Sequence, residues 1–292
     1  KKMNDLKQIK TVVFPVAGIG SRFLPVTKTV PKELLPILNI PLIEYAMNEA
    51  REAGIEKFIF VSSPEKKSII DYFRKDKKLE SYLKNKKPSL LKGIEKNMIS
   101  DDSLIEVVQE EPLGLGHAIW CARDYIDGPF AVILPDDLII SKVACIKQMI
   151  GAYNDHKSNI VAIQEVESAD ISKYGVIDYD NNEKNYYFIK NMIEKPSINN
   201  APSNLAIIGR YILLPNVLNT LSEKKVGYGG EIQLTDAIKN TIKNEGVIGY
   251  KFDGNRYDCG NVIGALEAQI SVAIRNSEYK NKVINIMNKY LK

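Results

Sequence analysis

A run of small and cationic residues follows the first apolar stretch of this chain. Thr11 to Val16 is apolar, and Ala17-Gly18-Ile19-Gly20-Ser21-Arg22 comes directly after it. Glycines without a Cβ let backbone N–H groups approach phosphate oxygens, and a guanidinium grips such oxygens bidentately. Further along the same loop, in a Pro-Lys-Glu triplet, stands a second cation, Lys32. A loop with exposed amides and two cations, set at the end of a strand, is suited to hold a polyphosphate. It fits neither common nucleotide motif. A dinucleotide fingerprint wants a third glycine where Phe23 stands, and a Walker loop wants a Gly-Lys-Ser/Thr that is absent. Taken alone, the glycines would serve a tight turn equally well.

Two further places can do chemistry with anions. Asp136-Asp137 leaves the apolar run Phe130 to Leu134, and Asp258 lies in a Tyr-Asp-Cys-Gly turn after Val247 to Phe252. Neighbours on a strand point to opposite sides, so only one of the paired aspartates is expected to meet a ligand. A hard Mg²⁺ ion takes one or two carboxylates with phosphate oxygens and water, which two such aspartates supply if the fold joins them. Capping a turn is the plainer role for an Asp pair. At Glu194-Lys195 a carboxylate able to accept from hydroxyls stands beside an ammonium able to pair with a phosphate, although such a pair is ordinarily an exposed edge. The two histidines, His117 and His156, complete no Ser-His-Asp or Cys-His arrangement. Transfer between two phosphates requires none, because a phosphate monoester with a second pKa near about 6 is already a dianionic nucleophile.

The elements that must carry these residues alternate along the chain. Strand patterns at Lys57–Ser62, Ile105–Gln109, Phe130–Leu134, Ile160–Val166 and Leu205–Tyr211 alternate with helical ones at Pro41–Ala53 and Leu115–Ile126. This rhythm predicts an α/β fold: a doubly wound, largely parallel or mixed, Rossmann-like sheet. Tyr174 to Glu194 reads as a small antiparallel hairpin insertion turning at Asp180-Asn181-Asn182-Glu183. Ile263, Leu266, Ile270, Ala273 and Ile274 stand at helical spacing and predict a C-terminal helical segment packed on the core or on a neighbouring subunit. No linker divides the chain, so a single domain over 1–292 is expected, with its catalytic core at 11–260 and the helical segment at 261–292.

Composition excludes several classes. The 292 residues are 45% apolar, enough for a real core, and the net charge of +4 is too small to argue for nucleic acid. Lysines crowd between Lys66 and Lys92, interrupted by acids and tyrosines, as on a solvated face. Three scattered cysteines without a Cys-x-x-Cys pair suit a reducing compartment. Lys1 to Lys10 lacks the features of a secretion signal, and no apolar run approaches the ~18 residues of a membrane span. A cytoplasmic protein is expected, with neither nucleic acid nor membrane as partner.

The phosphate loop belongs to a longer series. Phe14 to Ile37 is followed in order by Gly114-Leu115-Gly116-His117-Ala118, Leu134-Pro135-Asp136-Asp137, Tyr174-Gly175-Val176, Glu194-Lys195-Pro196, Ala201 to Tyr211, Glu231 to Ala237, and Tyr257-Asp258-Cys259-Gly260-Asn261. This series resembles the sugar-phosphate nucleotidyltransferases over nearly the whole chain, departing at Ser21, where the family usually has Thr. The resemblance implies an enzyme that transfers a uridylyl group from UTP to glucose 1-phosphate with Mg²⁺, giving UDP-glucose and pyrophosphate. It selects Asp136 over Asp137 and pairs it with Asp258 at the metal. It implies catalytic roles for Arg22, Lys32, Asp136 and Lys195, and a nucleotide site of Ala17, Gly18, Gly20, Ser21, Glu33, Gln109 and Gly114. It also implies a sugar-phosphate site of Gly175, Glu194 and Lys195, and a homodimer or homotetramer. Uracil and thymine differ by one methyl group, so thymidylyl transfer or another sugar stays open. A nicotinamide-dependent oxidoreductase is disfavoured by Phe23, and a non-catalytic nucleotide-sugar sensor by the joint presence of the charged site residues. His117 and Cys259 have no assigned role.

Overall fold

The apolar run at Thr11 becomes an interior strand in a computed structural model that describes residues 8–291; the first seven residues of the N-terminal segment lie outside it. In chain order the strands are β1 (Thr11–Pro15), β2 (Pro36–Ile37), β3 (Ile40–Pro41), β4 (Lys57–Ser62), β5 (Leu104–Val108), β6 (Phe130–Ile133) and β7 (Asp137–Ile140). They continue with β8 (Asn159–Glu165), β9 (Gly175–Glu183), β10 (Tyr186–Glu194), β11 (Leu205–Leu213), β12 (Val247–Lys251) and β13 (Asn255–Asp258). The helices begin with α1 (Leu42–Glu52), α2 (Lys67–Phe73), α3 (Lys77–Lys86), α4 (Pro88–Glu95), α5 (Leu115–Cys121) and α6 (Cys145–His156). They end with α7 (Asn216–Ser222), α8 (Leu234–Lys239), α9 (Ile242–Glu245), α10 (Val262–Arg275) and α11 (Lys280–Tyr290).

Nine strands form one sheet in the order β5-β4-β1-β6-β11-β8-β12-β10-β9. It is mixed rather than largely parallel. Four neighbouring pairs are parallel (β5–β4, β4–β1, β1–β6, β8–β12) and the other four antiparallel. Both faces are covered. Val12 and Phe14 of β1 pack with Met47 of α1, Ile70 of α2 and Met149 of α6, whereas Val13 packs with Ile119 of α5, Leu221 of α7 and Ile238 of α8. The unbroken apolar runs read as buried strands for that reason. Truncating Phe14, fully buried and stacked on Phe60 at 5.0 Å, would cost about 3–5 kcal/mol.

Several expectations are corrected. The 174–194 hairpin is no separate insertion, since β10 pairs with β12 and extends the sheet. Its turn falls at Lys184-Asn185, with Lys184 at φ 54°, because β9 keeps pairing through Glu183. The helix foreseen at 115–126 stops at Cys121 and gives way to a 3-10 turn at Arg123–Tyr125. In α10 the buried residues are Gly264, Ala268 and Ala273, while Ile263 is 73% exposed and Leu266 also lies outside. Small side chains let α10 lie close to Leu138 and Tyr257, so the bulky ones face outward. Among the described residues no helix is long and apolar enough to cross a membrane.

Candidate active site

The glycine loop leaves the sheet where Val16 N–H donates to Val61 O at 2.8 Å. Gly18 has nothing within 4 Å of where a Cβ would stand, so its backbone is bare toward the adjoining cavity. Gly20 serves the turn instead. Its φ is +71°, a Cβ there would sit 3.2 Å from Thr27, and its carbonyl accepts from Thr27 Oγ1 at 2.9 Å. Two short 3-10 turns then present the cations, Ser21–Phe23 carrying Arg22 and Lys32–Leu34 carrying Lys32. A cavity of about 330 Å³ opens beside the loop, lined by Ala17, Gly18, Gly20, Ser21, Gln109 and Gly114 among others. Gly114, at φ +103°, allows its loop to dock on 231–232, where a Cβ would meet Glu231 Cβ at 2.7 Å. A neighbouring cavity of about 410 Å³ shares Ala17, Ile19, Gln109 and Pro112 with it.

Glu33 does not join the other predicted nucleotide residues. It is 1% exposed and points inward, where Lys66 Nζ donates to its carboxylate at 2.9 Å and to Val16 O at 2.8 Å. Burial pushes the Glu33 carboxyl up and the Lys66 ammonium down, each more than the partner charge offsets. This pair ties the end of β1 to the turn that carries Lys32.

A third cavity, about 300 Å³, is lined by Arg22, Asp136, Gly175, Glu194, Lys195 and Asp258, with Leu115 on the wall it shares with the glycine-loop cavity. The paired aspartates do diverge. Asp136 Oδ2 takes a hydrogen bond from Lys32 Nζ at 2.5 Å, while Asp137 turns to Arg256 and to Gly209 N–H at 2.9 Å. Burial pushes Asp136 up, but the Lys32 charge and hydrogen bond overcome it and hold the carboxyl below its ordinary value. Asp258 ends not a strand of the main sheet but β13, which pairs with β7 so that Asp258 stands opposite Asp137. That ribbon brings Asp258 to Asp136. A Cβ on Gly260 would lie 3.0 Å from Asp258 Oδ1 and 3.1 Å from Asp136 Oδ2. Two carboxylate oxygens thus flank the bare face of Gly260 and form a cradle of the donor type a hard divalent ion takes together with phosphate and water. Among the described residues no cluster of three or more His, Cys, Asp or Glu competes with it.

The hairpin supplies the opposite wall. Gly175 opens β9 directly across from Glu194 at the end of β10, and Lys195 follows with φ +45°, its N–H bonded to Tyr174 O at 3.0 Å. Thr235 of α8 donates to Glu194 Oε2 at 2.6 Å, and a Cβ on Gly175 would press on both groups. Only glycine leaves that floor flat.

Three supporting residues escape a reading of the sequence. Arg256 reaches the Tyr174 hydroxyl at 3.2 Å, which in turn donates to Asp258 Oδ2 at 3.4 Å and helps to set that carboxylate. Thr235 lies inside the quoted 231–237 motif but carried no role there. Arg210 is 1% exposed and clamps the Asp136 turn, donating to Leu134 O at 2.9 Å and Asp137 O at 2.7 Å, with Glu49 as its carboxylate partner at 2.8 Å. An irregularity in the β11–β8 register at Gly209-Arg210 aims it there. The one signal was a lone cation inside an apolar strand, which must find a partner.

This arrangement, bare amides and two cations facing a carboxylate pair and a sugar-sized cavity, matches a known class. A family model described as nucleotidyl transferase covers residues 12–273, and the chain belongs to that family. UTP–glucose-1-phosphate uridylyltransferase of Komagataeibacter xylinus is 45% identical over 262 residues, 89% of this chain and 92% of its own length. The protein of that name from Bacillus subtilis (strain 168) is 41% identical over 285 residues, 97% of both chains. Among solved structures, a UDP-glucose pyrophosphorylase complexed with UDP-glucose superposes with a TM-score of 0.83 at 45% identity, covering 92% of this chain and 100% of that one. A UTP-bound enzyme from Acinetobacter baumannii gives 0.86 at 36% identity, over 96% and 99%.

Proposed function

We propose that this protein transfers a uridylyl group from UTP to glucose 1-phosphate, releasing pyrophosphate and forming UDP-glucose. The observation that carries the reading is the meeting of Arg22, Asp136 and Asp258 with Glu194 and Lys195 around one cavity, beside a second cavity walled by the glycine loop. The base and ribose fit the glycine-loop cavity, and the sugar phosphate fits the other, with Glu194 toward hydroxyls and Lys195 toward the 1-phosphate. A phosphate oxygen of the sugar attacks the α-phosphorus, the new P–O bond forms, and the bond to pyrophosphate breaks with its electron pair leaving on the departing oxygen. Attacking and leaving oxygens lie in line, and no side chain removes a proton. Arg22 and Lys32 counter the charge that gathers on the α-phosphate and pyrophosphate. Asp136 and Asp258 would hold Mg²⁺, which supplies further charge neutralisation when bound. The whole chain works as one catalytic unit in this reading. It self-associates as a homodimer or homotetramer, for which exposed Val262, Ile263 and Leu266 of α10 offer an apolar face. Three unpaired cysteines suit the reducing cytoplasm.

Pyrophosphate release across a panel of nucleoside triphosphates and sugar 1-phosphates tests it. UTP with glucose 1-phosphate should turn over fastest; no release with any pair, or a clear preference for dTTP or another sugar, would overturn it.

A further inference from the structure

Gln109 stands at the end of β5, 5% exposed, on the wall of the glycine-loop cavity. A side-chain amide can in general both donate to a base carbonyl and accept from a ring N–H. Here it cannot do both. One terminal atom lies 3.2 Å from Gly114 O, an acceptor only, so that atom is the nitrogen, Nε2. The same Nε2 lies 3.0 Å from His117 Nδ1, in a buried contact. Since Gly114 takes one amide hydrogen, the other points at the imidazole, and Nδ1 must accept it. His117 is therefore the neutral tautomer with its proton on Nε2. Burial, aided by the nearby Lys224 cation and only weakly opposed by Glu111, lowers the pKa of this ring and favours the neutral form.

We propose that His117 is a positioning residue which, by engaging the second amide hydrogen of Gln109, leaves only the carbonyl oxygen for the base and so selects uracil over cytosine. The inference rests on the reading of Gln109 as a base contact. Uracil carries a hydrogen on N3 and gives it to that oxygen. Cytosine has a lone pair on N3, and would set two acceptors against each other in a largely dehydrated site. A site built to meet a donor rejects the analogue that lacks it, because a buried group is left unpaired. Gly114 alone does not hold this orientation. Without His117 the second amide hydrogen is free to turn toward the base, and cytosine becomes acceptable.

The test compares kcat/KM for UTP and CTP, with glucose 1-phosphate as cosubstrate, in wild type, Gln109→Leu, His117→Leu and His117→Asn. The UTP-over-CTP ratio should fall on the order of tenfold in His117→Leu. Gln109→Leu should lower it as much, His117→Asn should keep it by accepting through its amide oxygen, and the KM for glucose 1-phosphate should stay level in all three. A ratio that falls in Gln109→Leu but holds in His117→Leu overturns the inference and leaves the base contact standing. A ratio indifferent to Gln109→Leu removes that contact and the inference with it. The imidazole tautomer gives a second readout in the unmutated protein, where only two histidines need assigning. Nitrogen-15 shifts of His117 should show bare Nδ1 and protonated Nε2; a proton on Nδ1 at neutral pH overturns the proposal.

Discussion

Removing the Lys66 charge should strand a carboxylate in the interior. Lys66 is 7% exposed and Glu33 1%, with 2.9 Å between Nζ and Oε2. Burial works against both charges, so the pair itself adds little to stability, but each partner makes the other tolerable. Lys66→Met leaves Glu33 unpaired and Val16 O without its donor, and should cost about 3–5 kcal/mol. That is a large share of the ~5–15 kcal/mol that holds a typical domain folded. The double change Glu33→Leu with Lys66→Met removes both charges and should return stability to within about 1 kcal/mol of wild type, or above it. Turnover should not return, because Lys32 sits in the same turn and loses its anchor to β1. The pH dependence has a definite sign. A stranded Glu33 has a folded pKa above its unfolded one, so its share of the Lys66→Met deficit is absent at pH below the ordinary Glu value of 4.5 and grows as pH rises past it. Urea unfolding across pH and steady-state kinetics read both effects. A single variant within about 1 kcal/mol of wild type at pH 7, or a fully active double variant, would refute the reasoning.

Arg22→Ala should lower kcat by roughly 10²–10³ while barely moving the KM for glucose 1-phosphate, since the guanidinium acts on charge that develops in the transition state. Steady-state kinetics would expose the opposite split. Thr235→Val, an isosteric change, deprives Glu194 of its 2.6 Å hydrogen bond and should raise the KM for glucose 1-phosphate by about tenfold with that for UTP unmoved; Thr235→Ser should rescue it. The Lys32–Asp136 pair combines a depressed carboxyl pKa with a raised ammonium pKa. Its coupling in a double-mutant cycle with Lys32→Met and Asp136→Asn should hold steady between about pH 5 and 9 and vanish as acid protonates Asp136. Coupling that is already lost at or above the ordinary Asp value of 3.8 would argue against the ion pair.

Much of this site could be read from residue order because its parts sit at the ends of strands, and strand ends are visible as apolar runs that stop. Gly18, Gly20, Arg22 and Lys32 fall within one loop, so their partnership is local. Residue order names Asp136 and Asp258, but only the resemblance paired them, since their meeting depends on β7 and β13 pairing outside the main sheet, a contact over more than a hundred residues. Glu33 was expected to line the nucleotide site because it stands beside Lys32, but its side chain turns inward to Lys66, a partner 33 residues away that no local pattern announces. The direction of β11 was equally hidden: an all-buried strand shows no alternation, and its antiparallel run beside β6 follows from chain connections that periodicity does not encode. Arg210 and Glu49 find one another across 161 positions, beyond any local pattern.

The most direct test of the mechanism follows the handedness of the α-phosphorus. UTP made chiral there with a single sulfur substitution can be turned over with glucose 1-phosphate and the configuration of the product read by phosphorus NMR. One in-line displacement, held by Arg22, Lys32 and the Asp136–Asp258 cradle, predicts inversion. Retention would mean two displacements through a nucleotidyl group bound to the protein, and would contradict the account.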